Sequence, residues 1–116
     1  MRLFENYFKL PFKLDDWGNY VWDSEMQMVF TFDEDAVPEN VQKELIKIFN
    51  NERDTEGDQV FDFEEENLLM NGDYIGCIRG WGYLTRLGGL NLSDEIAKGV
   101  QDDLAKYILE RLTKQP

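Results

Sequence analysis

An alternation of apolar and polar residues from Tyr20 to Phe32 constrains the fold of this chain more than any other stretch. One parity is apolar at every position except Ser24, and the parity does not slip along the whole run. A period of two is typical of a β-strand that buries one face. We therefore predict one long strand, bent near Asp23–Glu25 because few strands reach this length. Its predicted core face carries Tyr20, Trp22, Met26, Met28, Phe30 and Phe32.

Shorter patterns place the other elements around this strand. Pro11 within an alternating run favours an edge strand, because proline donates no hydrogen bond to a neighbouring strand. Asn71-Gly72 between two apolar runs is a strong signal for a hairpin turn, and Ser93 ahead of an apolar helical face is a good N-cap. The predicted elements are a strand at 7–15, a strand at 20–32, a helix at 38–51, a strand at 59–65, a hairpin across Asn71-Gly72 and a helix at 93–113.

These elements predict an α+β fold in one domain, over residues 1–116. A chain of 116 residues has the usual length of a single domain. The expected architecture is an antiparallel sheet of about four strands in the order β-β-α-β-β-α, with two helices packed on one face. We find no internal sequence repeat and no linker.

The net charge of −12 is concentrated in one part of the chain. Residues 23–66 contain fifteen acidic and three basic residues, whereas acids and bases balance on either side. A field of this sign repels phosphate backbones and attracts basic surfaces. The charge therefore predicts a basic protein partner and argues against nucleic acid, although an acidic face that only aids solubility is the alternative.

The residue types that carry most enzyme chemistry are scarce. The chain has no histidine, which removes the commonest general base and the commonest metal ligand. The only cysteine, Cys77, has no histidine to activate it and is expected to be a small buried residue. The run Asp54–Asp58 resembles part of a calcium-binding EF-hand loop, but Phe63 stands where that loop needs a bidentate glutamate. We therefore expect no catalytic residue, no cofactor and no specific metal site.

Glycine is concentrated in residues 71–92, which hold six of the nine glycines. The run from Arg79 to Arg86 fits the first five positions of the RNP1 octamer of RNA-binding RRM domains, if tryptophan is allowed at the third. The octamer ends in an aromatic residue, whereas this run ends in Arg86, and the predicted order of elements also differs. RNA binding is therefore not expected, and Trp81 and Tyr83 are interpreted as rings that cover bare glycine backbone.

The last third of the chain carries a resemblance to a known group. The residues concerned are Ile78, Arg79-Gly80-Trp81-Gly82-Tyr83-Leu84-Thr85, Gly88-Gly89-Leu90-Asn91-Leu92, Gln101-Asp102 and Tyr107-Ile108. This segment, about residues 78–112, resembles small uncharacterised proteins of phages and mobile elements of gut bacteria. The resemblance implies an accessory or inhibitory role in a bacterial cytoplasm, and it assigns no functional residues.

The sequence thus leads to one main hypothesis and two rivals. We expect a small acidic, non-enzymatic protein of the bacterial host cytoplasm that engages a protein partner, and the acidic charge favours a basic one. No apolar run approaches the roughly 20 residues that span a membrane, so no membrane partner is expected. The rivals are an enzyme with carboxylates in a cleft near Trp81, and a virion or assembly component. The candidate partner-binding residues are Asp33, Glu34, Asp35, Glu64, Glu65, Glu66, Arg79, Trp81, Tyr83 and Arg86.

Overall fold

In the residues that the structure describes, the chain folds into a six-stranded antiparallel sheet with two α-helices, which confirms the α+β class. The structure, a computed structural model, describes residues 3–54, 59–78 and 93–113, without the side chain of Asp94. After a 3₁₀ turn at Leu3–Asn6, the elements are β1 (Lys13–Leu14), β2 (Tyr20–Trp22), β3 (Met28–Phe32), α1 (Glu39–Phe49), β4 (Phe61–Glu64), β5 (Asn67–Met70), β6 (Asp73–Ile78) and α2 (Asp94–Thr113).

The strand count and order differ from the expectation of about four strands in β-β-α-β-β-α order. Within the described ranges, three strands precede each helix, and the sheet order is β1-β2-β3-β6-β5-β4. Each set of three strands is an antiparallel meander, and the last strands of the two sets, β3 and β6, pair in the middle. As far as the structure describes them, both halves of the chain therefore contain a three-stranded meander followed by a helix, although their sequences show no repeat.

The predicted long strand from Tyr20 to Phe32 is wrong, because a turn around Asp23 divides it into β2 and β3. Asp23 has no solvent exposure, and its carboxylate accepts hydrogen bonds from the backbone N–H groups of Lys9 (2.9 Å), Glu25 (2.9 Å) and Gln27 (2.8 Å). The Gln27 side chain donates a fourth bond, of 3.0 Å. These bonds satisfy the buried charge and favour a turn over a continuous ladder.

The division of the strand also redirects its side chains. A register shift lies between Val21 and Trp22. Tyr20 is 44% exposed and Met26, in the turn, is 58% exposed, so neither belongs to the core as predicted. Val21, predicted to face outward, has no exposure, because it pairs with Phe30 on the buried face. A one-residue change of register moves every following side chain to the other face of a sheet.

One core joins the buried face of the sheet to both helices. The Phe30 ring meets the Phe32 and Phe49 rings at centroid distances of 5.0 and 6.0 Å. The Tyr107 hydroxyl of α2 donates a 2.7 Å hydrogen bond to the Phe49 carbonyl of α1, so the two helices contact each other. Other fully buried core side chains are Phe4, Phe8, Leu68, Ile75, Ile78, Leu104, Ile108 and Leu112.

The helix ranges agree closely with the sequence pattern, although the exposure of single residues does not always follow it; Ile96, on the predicted apolar face of α2, is 44% exposed. The predicted ranges 38–51 and 93–113 enclose α1 and α2, and the Ser93 hydroxyl accepts a 3.3 Å bond from the Ile96 N–H as an N-cap. The helical pattern of 38–51, with Val41, Leu45, Ile48 and Phe49 as its apolar face, predicts that the polar Gln42 lies outside, yet Gln42 is 1% exposed. Its amide group donates to the Val37 carbonyl and to the Asn19 side chain, each at 2.9 Å, and accepts from the Asn19 N–H at 2.7 Å.

Two tight turns shape the second meander. Asn71 and Gly72 have φ values of 54° and 86°, which confirms the predicted hairpin turn between β5 and β6. The turn between β4 and β5 was not predicted, because residues 64–66 are three glutamates without glycine or asparagine. Glu65 there adopts a φ of 57°, a left-handed conformation that is uncommon outside glycine.

The edge strand predicted at 7–15 is present only in part. β1 lies at one end of the sheet order, as expected for an edge, but it contains two residues. Just before it, the Asn50 side chain at the end of α1 bonds both the N–H and the C=O of Phe12, each at 2.6 Å. The Asn50 amide thus forms the two hydrogen bonds that a neighbouring strand would form, so this segment is attached to α1 instead of extending the sheet.

Within the described chain, neither helix is long and apolar enough to cross a membrane.

Candidate functional site

A cleft of about 400 Å³ brings three of the predicted acidic residues together with two tyrosines. It lies where β3 ends, beside the N-terminal ends of β2 and β6. Tyr20 is 44% and Tyr74 is 42% exposed. This cleft, which we call the tyrosine cleft, is lined by Asn19, Tyr20, Thr31, Phe32, Asp33, Glu34, Asp35 and Tyr74.

Backbone hydrogen bonds hold the acidic side of this cleft. The Asp33 N–H donates to the Ile75 carbonyl of β6 at 2.8 Å, so the turn after β3 stays attached to the sheet. The Asp33 carboxylate accepts from the Asp35 N–H at 3.0 Å. The Glu34 carboxylate accepts from the Asn19 side chain at 3.1 Å. Because Asn19 is itself bonded to the buried Gln42, the loop across the cleft is tied to α1.

The tyrosine side of the cleft lies on the sheet face opposite the core. Tyr20 pairs with Thr31 across β2 and β3, and Thr31 pairs with Cys77 across β3 and β6. Directly paired residues point to the same side of a sheet. The Thr31 hydroxyl and the Cys77 sulfur are 3.4 Å apart, and the Tyr74 phenol is hydrogen-bonded to Cys77. Cys77 is therefore a half-buried member of a polar row, rather than the small buried residue that was predicted.

Acids from both predicted acidic segments, 33–35 and 64–66, act electrostatically on Tyr74. Partial burial, the hydrogen bond to Cys77 and the negative charges of Cys77, Asp33 and Glu66 together raise the pKa of Tyr74 to about 12. Each of these causes disfavours the phenolate. The Asp33 and Glu66 carboxylates thus contribute a negative potential at Tyr74, which a cation placed beside the ring would relieve.

The two predicted acidic segments do not form one site. The segment 64–66 lies in the turn between β4 and β5, and the Ile78 N–H bonds the Glu66 carbonyl at 2.9 Å. Glu65 and Glu66 line a separate cleft against α2, whereas Glu64 lines neither cleft. Among the predicted acids, the tyrosine cleft therefore holds only Asp33, Glu34 and Asp35.

The other predicted contact residues cannot be placed. Arg79, Trp81, Tyr83 and Arg86 lie outside the described residues, as does the region near Trp81 expected for a carboxylate enzyme. Most of the loop compared with a calcium site is also outside, at 55–58. Across the described ranges, no group of three or more cysteine, aspartate and glutamate side chains is arranged to hold a metal ion.

Sequence reasoning missed five residues of the cleft: Asn19, Tyr20, Thr31, Phe32 and Tyr74. Tyr20 was placed in the core because its parity matched that of Phe30. The available signal was the residue type, since tyrosine carries a polar tip and is favoured where one end of the ring stays wet. No sequence signal places Tyr74 next to Asp33, because their proximity depends on the pairing of β3 with β6.

Carboxylates that share a cleft with half-exposed tyrosine rings are suited to holding a positively charged side chain. The carboxylates attract it by charge, and the ring faces attract it through their quadrupoles.

Comparisons with protein families, with curated proteins and with solved structures found no match for this chain.

Proposed function

We propose that this chain is a small, non-enzymatic binding protein that engages a basic protein partner through the cleft of Asp33, Asp35, Tyr20 and Tyr74. The observation that carries the proposal is the placement of three carboxylates beside two half-exposed phenol rings. A lysine or arginine side chain of a partner would gain both charge attraction and ring contact there.

The charge of the whole chain supports the same kind of partner. A net charge of −12 raises the local concentration of basic molecules and speeds their association. The resemblance of residues 78–112 leads us to place this activity in a phage or mobile element of gut bacteria, inside the host cell. An accessory protein of this kind would occupy a basic surface of a host or phage protein.

The binding test uses a hexa-arginine peptide as the probe and isothermal titration calorimetry as the readout. Asp33→Asn with Asp35→Asn should weaken binding by about tenfold, the loss expected when close charge pairs are removed. The matched control is Glu25→Gln with Glu95→Gln, which removes the same charge from exposed positions outside the cleft. Equal effects of the two double variants would contradict a cleft-specific site and leave only a diffuse acidic surface.

Salt dependence and ring substitutions separate charge from ring contact. Raising the salt from about 10 mM to 150 mM shortens the Debye length from roughly 30 to 8 Å, so the affinity should fall steeply. Tyr74→Phe keeps the ring and should retain binding, whereas Tyr74→Leu should weaken it by about threefold, the size of a partly exposed cation–π contact. Binding that is insensitive to salt would refute the proposal.

A further inference from the structure

A groove of about 480 Å³ separates β1, at the edge of the sheet, from α1. Its size is typical of clefts that bind ligands. Pro11, Phe12 and Leu14 supply apolar surface from the β1 side, and Ile46 supplies it from the helix. We call it the β1 groove, and none of the described residues that line it lines the tyrosine cleft.

The backbone of β1 turns one unpaired edge toward this groove. The Asp15 N–H donates to the Tyr20 carbonyl of β2 at 2.8 Å. Consecutive residues of a strand direct their backbone groups to opposite edges, so the N–H and C=O of Leu14 point away from β2. Those of Phe12 point the same way, and the Asn50 side chain binds both at 2.6 Å. No described residue forms a hydrogen bond with the Leu14 groups on that edge.

An extended peptide can continue the ladder that Asn50 begins. A sheet edge with free N–H and C=O groups is a template for a further strand, and adding a strand is a recurrent way to bind a partner segment. Leu14 is only half-buried, and Pro11 and Lys13 beside it are exposed, so β1 lies at the surface. A strand laid along β1 would accept a bond from the Leu14 N–H and donate one to its carbonyl.

The lysines of the β1 groove select the chemistry of such a strand. Lys13, Lys43 and Lys47 line the groove together with Glu44 and Glu52, whereas the described charges of the tyrosine cleft are all acidic. Lys43 and Lys47 each lie 3.7 Å from a glutamate of α1, which offsets part of their charge. Lys13 is exposed and forms no ion pair with a described residue. A carboxylate beside Lys13 would therefore gain charge attraction without displacing another acid.

We propose that the β1 groove binds an extended segment of a partner protein, in which an acidic residue adjoins an apolar one. Directly paired residues of two strands point to the same face. The partner residue beside Leu14 is therefore the apolar one, and the partner residue beside Lys13 is the acidic one. The residue on the other side meets Asp15, whose charge selects against an acid there. This contact goes beyond the proposed function, because it uses a different surface and the opposite charge.

A second copy of this chain is a less suitable occupant of the groove. Each copy carries a net charge of −12, so two copies repel each other. β1 is also short and carries Lys13, and both features hinder the pairing of sheet edges between copies. A partner strand that brings a carboxylate is instead attracted by Lys13.

The test is a nitrogen-15 NMR titration of the full chain with a capped pentapeptide, threonine–valine–glutamate–valine–threonine. A valine on each side of the glutamate allows either strand direction. The Leu14 amide signal should shift in a saturable way, with a Kd on the order of 1 mM. The same peptide with lysine in place of glutamate should bind at least about fivefold more weakly. Methylation of both valine nitrogens removes their N–H donors and should abolish binding.

A pair of lysine variants tests the charge selection. Lys13→Gln should weaken binding of the glutamate peptide about threefold, the size of an exposed ion pair. The matched control is Lys106→Gln, which removes the same charge from an exposed position of α2 and should leave binding unchanged. Both variants alter exposed side chains, so both are expected to fold.

Four outcomes would overturn the inference: no saturable shift at Leu14, equal binding of the glutamate and lysine peptides, binding that survives methylation, or equal effects of the two lysine variants. Analytical ultracentrifugation of the chain alone adds a further check. Self-association that blocks the peptide would assign the groove to a second copy and would also reject the inference.

Discussion

At the scale of single residues, Asp23 contributes most to local order among the polar side chains described. Its buried carboxylate accepts four hydrogen bonds, from two parts of the chain. We expect Asp23→Ala to lower the free energy of unfolding by about 2–4 kcal/mol, because several buried donors lose a charged acceptor. Urea denaturation would measure the loss. The control is Asp16→Ala, which alters an exposed acid and should change the free energy of unfolding by less than about 0.5 kcal/mol. Similar losses for the two variants would contradict the role of Asp23.

Tyr74 offers a second test at this scale, through its pKa of about 12. Comparing the 295 nm absorbance titration of the native chain with that of Tyr74→Phe should isolate a phenol that ionises later than an ordinary tyrosine. Cys77→Ala should lower this pKa, because it removes the hydrogen bond and one of the negative charges. A Tyr74 that titrates at the ordinary 10.0 would contradict the described surroundings.

The same shift has a consequence for stability at high pH. The pKa in the folded state lies above the ordinary value, so folding favours the protonated phenol. This contribution is complete below pH 10 and is lost as the pH rises toward 12. Tyr74→Phe should therefore lose less stability across that interval than the native chain does.

At the scale of elements, the contact between β3 and β6 depends on Gly76. A Cβ atom built at this position would lie 2.5 Å from the Thr31 carbonyl oxygen and 2.7 Å from the Phe30 ring. Gly76→Ala should therefore destabilise the fold by about 1–3 kcal/mol, the usual range for overpacking a core. Chemical denaturation measures this directly.

Gly99 of α2 is the matched control for that substitution. Among the described residues, a Cβ there would meet only the end of the Leu3 side chain, at 3.2 Å, and a flexible side chain can move aside. Gly99→Ala should be neutral or should stabilise α2 by up to about 1 kcal/mol, from its higher helix propensity. Equal losses at the two glycines would show that the β3–β6 contact is looser than described.

At the scale of the whole molecule, the acidic charge opposes folding. Fifteen acids within residues 23–66 repel one another in the compact state. Raising the salt from about 10 mM to 150 mM screens these charges, so we expect the melting temperature to rise by about 2–6 °C, equivalent to 0.5–1 kcal/mol. Sucrose at equal osmolality serves as the uncharged control. A melting temperature that falls or stays constant with salt would show that favourable ion pairs outweigh the repulsion.

Features determined by neighbouring residues could be predicted from the sequence. The Asn71-Gly72 turn is confirmed because positive φ angles there suit few other residues. The two helices are confirmed because a 3.6-residue period is set by local geometry, and Ser93 caps α2 within one turn. Asp33, Glu34 and Asp35 were identified as surface acids, and they do line a cleft.

Features that depend on distant residues could not be predicted. An aspartate in an alternating run is expected to face solvent. Asp23 is buried instead, and one of the donors that satisfy its carboxylate is the N–H of the distant Lys9. Gln42 was placed outside because the sequence does not indicate that Asn19 meets it. The tyrosine cleft required Tyr20 to turn away from the core and Tyr74 to meet Asp33.

By itself, the sequence determined the α+β class, the helices, one hairpin and the acidic character of the middle of the chain. Only the tertiary structure decided that the described sheet has six strands, that β3 and β6 pair at its centre, and which acids share a cleft with tyrosine rings. The physical reason is the distance along the chain over which each effect acts. Periodicity, capping and turn preferences act over a few residues, whereas strand pairing and the burial of charge depend on contacts between residues far apart in the chain.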